Sequence, residues 1–558
     1  MDARASAYRW PSPRAALAML AVGAMVLGAC RKKSADANTD AGRAPWEDGG
    51  GEFVAIALPD GGSGDGGASP ILHALALITP IMNVPEWAPR DPSKASDERK
   101  MAVRLGYLRK GDTVAVRPHV MKKANCPQGW YELLAAPGSA VGTGGFVCGK
   151  DATLDPDDKE LAVAPRAPNM AGPLPYDYGL NLVDGAPLYR RPPLRRERKE
   201  YERGLAVGRA YRKKEGDEGA RESGGSREDG DTAWYLAHKG RSQISMDDLK
   251  GETSLIVQRM VKGFYLGLDK EVHAFAGSFW RTTRGMFVAK DHVLVHDPKV
   301  EFEGVWLDAP GETRHLPLGW ITNPHQWKYT FDGAKVHRHE HVDRFAIVQL
   351  TGNKQVVDDK TYWETAEGWW MRAMDGTVTN PAAPPKNLAR GERWIDVNLG
   401  LQSLVAFEGE RPVFATIISS GRRDDDPVKD HRTRPGEFRV REKHISATMD
   451  NDTATDGPYS IEDVPWIMYF DGSTALHGAF WHSRFGHERS HGCVNMTPHD
   501  AHELFGWVGP KLPDGWHGVR ATDANPGTRV IVHDNGKTAE ESKEDQGNDP
   551  GTKDASSR

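Results

Sequence analysis

Two side chains in one short stretch could carry covalent chemistry. Cys493 stands in the run Ser490-His491-Gly492-Cys493-Val494-Asn495, and His477 precedes it on the same stretch of chain. A free thiol is only a few per cent ionised at neutral pH, so a cysteine nucleophile needs a base at hydrogen-bond range. His477 closes a predicted strand that follows an Asp471-Gly472 turn and pairs with Trp466-Ile467-Met468-Tyr469-Phe470 in a hairpin, which places an imidazole at a strand end. Cys493 is therefore assigned as nucleophile and His477 as general base. Downstream, Thr497 has the chemistry of an N-cap, Pro498 suits the first helical position, and Ala501, Leu504, Phe505 and Val508 recur at helical spacing. Cys493 is expected on a turn between a strand and this helix, near the positive end of the helix dipole, where a thiolate is favoured. The backbone N–H groups of Gly492 and Cys493 would then face a developing oxyanion, with glycine at 492 allowing close approach.

Six histidines crowd this region: His477, His482, His487, His491, His499 and His502. A zinc site would need ligands at recognisable spacing: no C-x-x-C and no second cysteine lies nearby, and although His487-Glu488-Arg489-Ser490-His491 spells H-E-x-x-H, that motif presents its two histidines to a metal from one face of a helix, whereas this stretch is read as loop. No metal and no cofactor is expected. His482 and His487 are read as exposed residues on a loop over the site, and Gly478, Trp481 and His482 as lining a substrate groove.

The constellation resembles the YkuD-type L,D-transpeptidases, whose mark is His-Gly or His-Ser followed after a dozen or so residues by Ser/Thr-His-Gly-Cys, an aliphatic residue, and Asn or Arg. His477-Gly478 and Ser490 to Asn495 supply every position. The likeness extends over about 393 to 534, a quarter of the chain. One departure is Thr433-Arg434-Pro435-Gly436-Glu437-Phe438, where the family usually has Thr-Pro-x-Gly-x-Phe; the shifted proline could alter the groove. The resemblance implies that Cys493 attacks the carbonyl of the third residue of a peptidoglycan stem peptide, releases the terminal D-alanine and passes the acyl group to an amine. It also implies that Ser490 and His491 order the loop and that Asn495 braces the turn or contacts substrate. A histidine shortly before the cysteine disfavours papain-like enzymes, which place it far downstream.

The rest of the chain must carry and locate this site. Arg4, Arg9 and Arg14 precede a short apolar run ending in Leu27-Gly28-Ala29-Cys30, which reads as an export signal with a lipobox-like end and Cys30 as the lipidated residue. An exported, lipid-anchored envelope protein is expected. In such an oxidising compartment Cys126 and Cys148 are expected to form a disulfide, leaving Cys493 as a lone reactive thiol. The net charge of -6 over 558 residues, with both signs interspersed, gives no footprint for nucleic acid.

The fold class expected is mainly β and multidomain: small β-barrel-like domains ahead of a β-sandwich-like catalytic domain with a short helix after the cysteine. Residues 1–30 are read as signal peptide and 31–74, rich in Gly and Ser, as a disordered tether. Strand-and-turn spacing marks 75–155, which is similar to a bacterial Src-homology-type small barrel on the strength of GYLRKGDTVAV, CPQGWYEL and GGFVCG. Residues 156–252 read as a charged, partly disordered linker, 253–385 as a β-rich accessory domain, 392–535 as the catalytic domain and 536–558 as a disordered tail. Trp280, Trp306, Trp320, Trp363 and Trp370 are read as core residues of the accessory domain rather than a sugar-stacking platform. The leading functional expectation is an L,D-transpeptidase acting on stem peptides, with a wall-anchored protein among the conceivable acyl acceptors. The alternative is a catalytically silent peptidoglycan-binding lipoprotein.

Overall fold

The computed structural model describes residues 52–56, 69–91, 96, 99, 101–134, 144–205, 245–251, 253–297, 302–307, 309–333, 335–427, 429–451 and 459–534. Cys30, the expected export signal and the expected tail lie outside these residues. The described chain is mainly β and built from several sheets.

Residues 393–533 are built as a sandwich. Its first sheet takes β1 (Arg393–Asn398), β2 (Ser403–Glu408), β3 (Arg411–Ile417), β4 (Gly436–Arg439) and, from the C-terminal end, β10 (Arg529–His533). The order is β3-β2-β1-β10-β4, with β10 parallel to β1 and the short strand Val305–Trp306 added beyond β3. The turn at Glu408-Gly409-Glu410 joins β2 to β3, and Gly409 has a φ of 64°, a left-handed conformation that glycine adopts without a Cβ penalty. The second sheet runs β9 (Gly518–Arg520), β5 (Glu442–Asn451), β6 (Tyr459–Asp471), β7 (Thr474–Gly478) and β8 (Val494–Met496).

Between the sheets lie Ile395, Val397, Leu404 and Phe414 from one side and Trp466, Met468, Leu476, Val494 and Met496 from the other. Helix α1 (Pro498–Trp507) buries Ala501, Leu504 and Phe505 in the same core. Each fully buried Leu or Phe of this kind contributes about 2 kcal/mol relative to an exposed one. The helix starts as its sequence dictates, with the Thr497 hydroxyl accepting the Asp500 N–H at 3.2 Å. Its C-terminal carbonyls, Phe505 and Val508, accept from the buried Lys443 ammonium at 2.5 and 2.6 Å.

Three antiparallel β units precede the sandwich. In the first, pairing runs Ala152–Thr153, Ile71–Ala74, Thr113–Lys123, Cys126–Leu133, Phe146–Cys148, Thr79–Met82, Arg104–Leu108. Cys126 and Cys148 are joined by a disulfide across two of its strands, with Cα atoms 6.0 Å apart. A closed loop of this length stabilises by about 3 kcal/mol. Arg104–Leu108 continues onto β9, with Gly518 opposite Tyr107.

The second unit is ordered Ile256–Met260, Ala186–Tyr189, Phe287–Ala289, Gly277–Thr282, Tyr265–Ala274, Asp177–Asn181, Val293–His296. The third is ordered Lys335–Val342, Gln326–Asp332, Trp370–Arg372, Lys360–Thr365, Ile347–Val357, Leu318–Ile321, Gly376–Thr379.

Two expectations need correction. The span 31–74, read as a tether, contains the strand Glu52–Ala55 paired with Thr113–Lys123, and Ile71–Ala74 lies inside the first unit. The span 156–252, read as a linker, supplies Asp177–Asn181 and Ala186–Tyr189 to the second unit, so the single accessory block expected at 253–385 is two units. The charged stretch separates in sequence strands that pair in one unit, so composition alone does not join them. Of the five accessory tryptophans, Trp320 is fully buried and Trp280, Trp306, Trp363 and Trp370 are partly so.

Candidate active site

β7 and β8 are parallel neighbours, with Leu476 opposite Val494 and His477 opposite Asn495. Extended by one residue, this register sets Cys493 beside Ala475, two residues before His477 and on the same face of the sheet. The β6–β7 hairpin turns at Asp471 to Thr474 with Gly472 at a φ of 53°, and the thiol packs beside it: Cys493 Sγ lies 3.7 Å from the Ser473 carbonyl. Cys493 is half-buried at the edge of an apolar cluster holding Tyr178, Ile461, Val464, Ile467, Ala475 and Phe480.

His477 is 2 % exposed. Its Nδ1 is 3.1 Å from the Gly478 carbonyl, which fixes the tautomer with the proton on Nδ1 and the lone pair on Nε2. A backbone carbonyl here performs the orienting part that a carboxylate performs in Ser-His-Asp triads. The Trp481 ring stacks on the imidazole at 5.7 Å and 25°. Burial pushes His477 down to about 4 and the Cys493 thiol up to about 11, although the Ala475 N–H favours the thiolate. The resting pair is a neutral thiol and a neutral imidazole.

This corrects the expectation of a dipole-stabilised thiolate. β8 intervenes between Cys493 and α1, so the sulfur is a strand's length, about 10 Å, from the helix N-terminus, beyond the first turn over which the dipole acts.

The loop carrying Cys493 is held by side chain to backbone bonds. Ser490 Oγ donates to the Cys493 carbonyl and accepts the Gly492 N–H at 3.1 Å. The Gly492 N–H is thus engaged and is not the free oxyanion donor expected of it. Gly492 has a φ of 122°, and an added Cβ would have only the His431 carbonyl oxygen at 3.7 Å, so glycine is required by backbone conformation rather than by crowding. His491 is exposed and lies between the rings of Tyr459, at 5.0 Å, and His431, at 4.8 Å.

The expected groove residues divide. Trp481 faces His477. Gly478 is buried, and an added Cβ would crowd Pro465 and Pro498, each at 3.1 Å. His482 is buried rather than exposed over the site, and burial pushes it down to about 3. Its Nδ1 lies 3.3 Å from the Arg484 N–H and its Nε2 lies 2.8 Å from the Asn495 amide nitrogen, Nδ2. The His482–Asn495 contact braces the loop against β8. Asn495 is 3 % exposed and does not face solvent.

Two residues were missed from sequence. Thr433 is 2 % exposed; its hydroxyl donates to the Gly492 carbonyl at 2.8 Å and accepts the Gly421 N–H at 2.9 Å, tying two loops together under the site. Burial, and then the neighbouring Cys493, push the Tyr469 phenol up to about 12. The threonine of the Thr-x-x-Gly-x-Phe segment was a visible signal; nothing local marked Tyr469. Arg434, where the proline has shifted, pairs with Asp471 at the hairpin turn at 2.8 and 3.0 Å. Among the described residues no group of three His, Cys, Asp or Glu is placed to hold a metal ion.

Residues 392–532 match the YkuD family model, the L,D-transpeptidase catalytic domain. Among solved structures, the chain is similar to a cysteine-to-serine mutant of the Enterococcus faecium L,D-transpeptidase, at 24 % identity over 28 % of this chain and 56 % of that one, with a TM-score of 0.20. The chain thus spans just over half the length of that relative. It is also similar to the catalytic domain of the E. faecium L,D-transpeptidase, at 26 % identity over 26 % of this chain and 98 % of that one, with a TM-score of 0.19. A third is L,D-transpeptidase 3 from Mycobacterium tuberculosis, at 16 % identity over 33 % and 79 %, with a TM-score of 0.20. No curated protein matches the chain.

Proposed function

We propose that this protein is a peptidoglycan L,D-transpeptidase in which Cys493 is the nucleophile and His477 the general base. The observation that carries the reading is the parallel β7–β8 pairing, whose register extends to set Cys493 beside Ala475, two residues from the tautomer-fixed His477 and on the same face of the sheet, within the matched residues 392–532. Both groups being neutral at rest, proton transfer accompanies attack. Nε2 of His477 takes the thiol proton as sulfur bonds to the carbonyl carbon of the third stem residue. Collapse of the tetrahedral intermediate breaks the amide bond to the terminal D-alanine, whose amine departs with that proton and leaves a thioester on Cys493. An acceptor amine then attacks the thioester, its proton passes to His477, and the sulfur leaves and recovers it.

Ser490, Thr433 and the His482–Asn495 pair hold the loop that presents the sulfur, and Ser490 does so by occupying the Gly492 N–H. In this reading Cys493 N–H remains as the backbone donor for the oxyanion. An exported protein tethered through a lipid on Cys30, with cross-linking or protein anchoring as the outcome, belongs to the same proposal and rests on the leader-like N-terminal residues alone.

The test gives purified protein a disaccharide tetrapeptide and follows D-alanine release and dimer formation by mass spectrometry. Wild type should release D-alanine and Cys493→Ala should not. If the two behave alike, the chain is a silent wall-binding protein.

A further inference from the structure

The loop between the base and the nucleophile is gripped from two sides by units that lie outside the matched residues. On one side is the second β unit. Its strand Tyr265–Ala274 meets β6 with Tyr265 opposite Ile461, and Tyr178, Tyr265 and His296 surround the Phe480 ring at 3.9, 5.3 and 5.5 Å. His296 Nε2 sits 2.7 Å from the Phe480 carbonyl, to which it donates. On the other side is the third unit. Arg344 donates from Nη2 to the Ser483 carbonyl at 2.7 Å and from Nε to the Thr322 carbonyl at 2.9 Å. Gly486 lies so close to Thr322 that an added Cβ would fall 2.2 Å from its methyl carbon. Phe485 is buried in a cluster shared with Phe302, Trp320 and Phe345. Trp481, the residue stacked on His477, stands between these two grips.

We infer that His296 and Arg344 are positioning residues for the reaction proposed above: from the second and third β units they hold the two flanks of the 480–486 loop, and so keep Trp481 on His477 and water out of the cleft around Cys493. The accessory units are then walls of the active site rather than a spacer. Backbone carbonyls at Phe480 and Ser483 give the grip its direction, since a loop carbonyl held by a charged or imidazole donor resists the rotation that would swing the indole away. Small displacements of a group packed against a catalytic base are amplified in rate, because reacting atoms must be placed to within a fraction of an ångström.

The experiment uses the full chain with His296→Phe, Arg344→Met and the pair combined, each beside its donor-retaining partner, His296→Gln or Arg344→Lys. Melting temperature is recorded, kcat and KM are measured on the tetrapeptide, and Cys493 alkylation by iodoacetamide is followed across pH by peptide mass spectrometry. The combined variant should lose about tenfold in kcat with KM within twofold, and water entering the cleft should make alkylation at pH 8 about tenfold faster. His296→Gln and Arg344→Lys should recover most of both. Alkylation profiles identical to wild type in both single variants would overturn the inference, as would changes that track melting temperature and are not rescued. The alkylation arm reads the loop even if wild type releases no D-alanine, so failure of the transpeptidase reading and failure of the grip are told apart.

Discussion

Alkylation of Cys493 across pH distinguishes a neutral resting pair from a preformed thiolate–imidazolium pair. Burial sets the thiol at about 11 and the imidazole at about 4. Against an ordinary thiol at 9.0, ionised about one part in a hundred at pH 7, this sulfur is ionised about one part in ten thousand. Iodoacetamide should therefore label Cys493 about a hundredfold more slowly at neutral pH than an exposed thiol, from ionisation alone. The rate should rise tenfold per pH unit until beyond pH 10.

Turnover should follow another profile. A base that acts only while sulfur attacks must be unprotonated, so kcat/KM should rise as His477 loses its proton around pH 4 and stay level until the thiol ionises near 11. His477→Gln separates the two readouts. Without the base, turnover should fall by about 10² to 10⁴. The alkylation profile should hardly move, because burial, not the ring, raises the thiol. A labelling rate that is already level between pH 5 and 8, and that loses this plateau in His477→Gln, would refute the neutral pair and restore the ion pair.

Two further outcomes follow from buried polar groups. Thr433→Val leaves the Gly421 N–H and the Gly492 carbonyl without their partner, which should cost about 2 to 4 kcal/mol in urea unfolding and lower kcat more than it alters KM; an unchanged urea midpoint would show that the clamp contributes nothing. Glu462 is 3 % exposed and burial pushes it up to about 7 from 4.5, so the native state keeps a proton that the unfolded chain gives up between those values, and stability falls as pH rises through that window. Glu462→Gln should then stabilise by about 3 kcal/mol at pH 8 and leave the unfolding midpoint at pH 4 unchanged, with equal effects at both pH values counting against the assignment.

What could be read from sequence was local. Thr497-Pro498 specifies a helix start whatever surrounds it, Asp471-Gly472 specifies a tight turn, and the order His477, Ser490, Gly492, Cys493 carries the candidate site because a single loop separates the two residues. What could not be read depends on contacts between distant segments. Val494 to Met496 might continue a turn or form a strand; it becomes a strand because β7 offers an open parallel edge, and that single choice moves Cys493 away from the helix dipole and leaves burial to set its acidity. His482, polar and flanked by charge, looks like a solvent-facing residue until Asn495 and the Arg484 N–H supply its two ring nitrogens with partners.

The accessory units show the same limit on a larger scale. Asp177–Asn181 and Tyr265–Ala274 are adjacent strands separated in sequence by a long charged stretch, and no window of composition can join them. Their pairing matters to the site because Tyr178 and Tyr265 both press on Phe480, beside the indole that covers His477. The short motif therefore names the candidate reacting atoms, whereas the apolar cluster at whose edge Cys493 sits is completed by Tyr176, Tyr178 and Tyr265, far upstream in sequence. If residues 392–532 were excised as a unit, β9 would lose Arg104–Leu108, and Phe480 its aromatic neighbours in the second unit. On the physics of burial, the thiol of such a fragment would move back toward ordinary acidity, gaining reactivity toward iodoacetamide while losing the held geometry on which turnover depends.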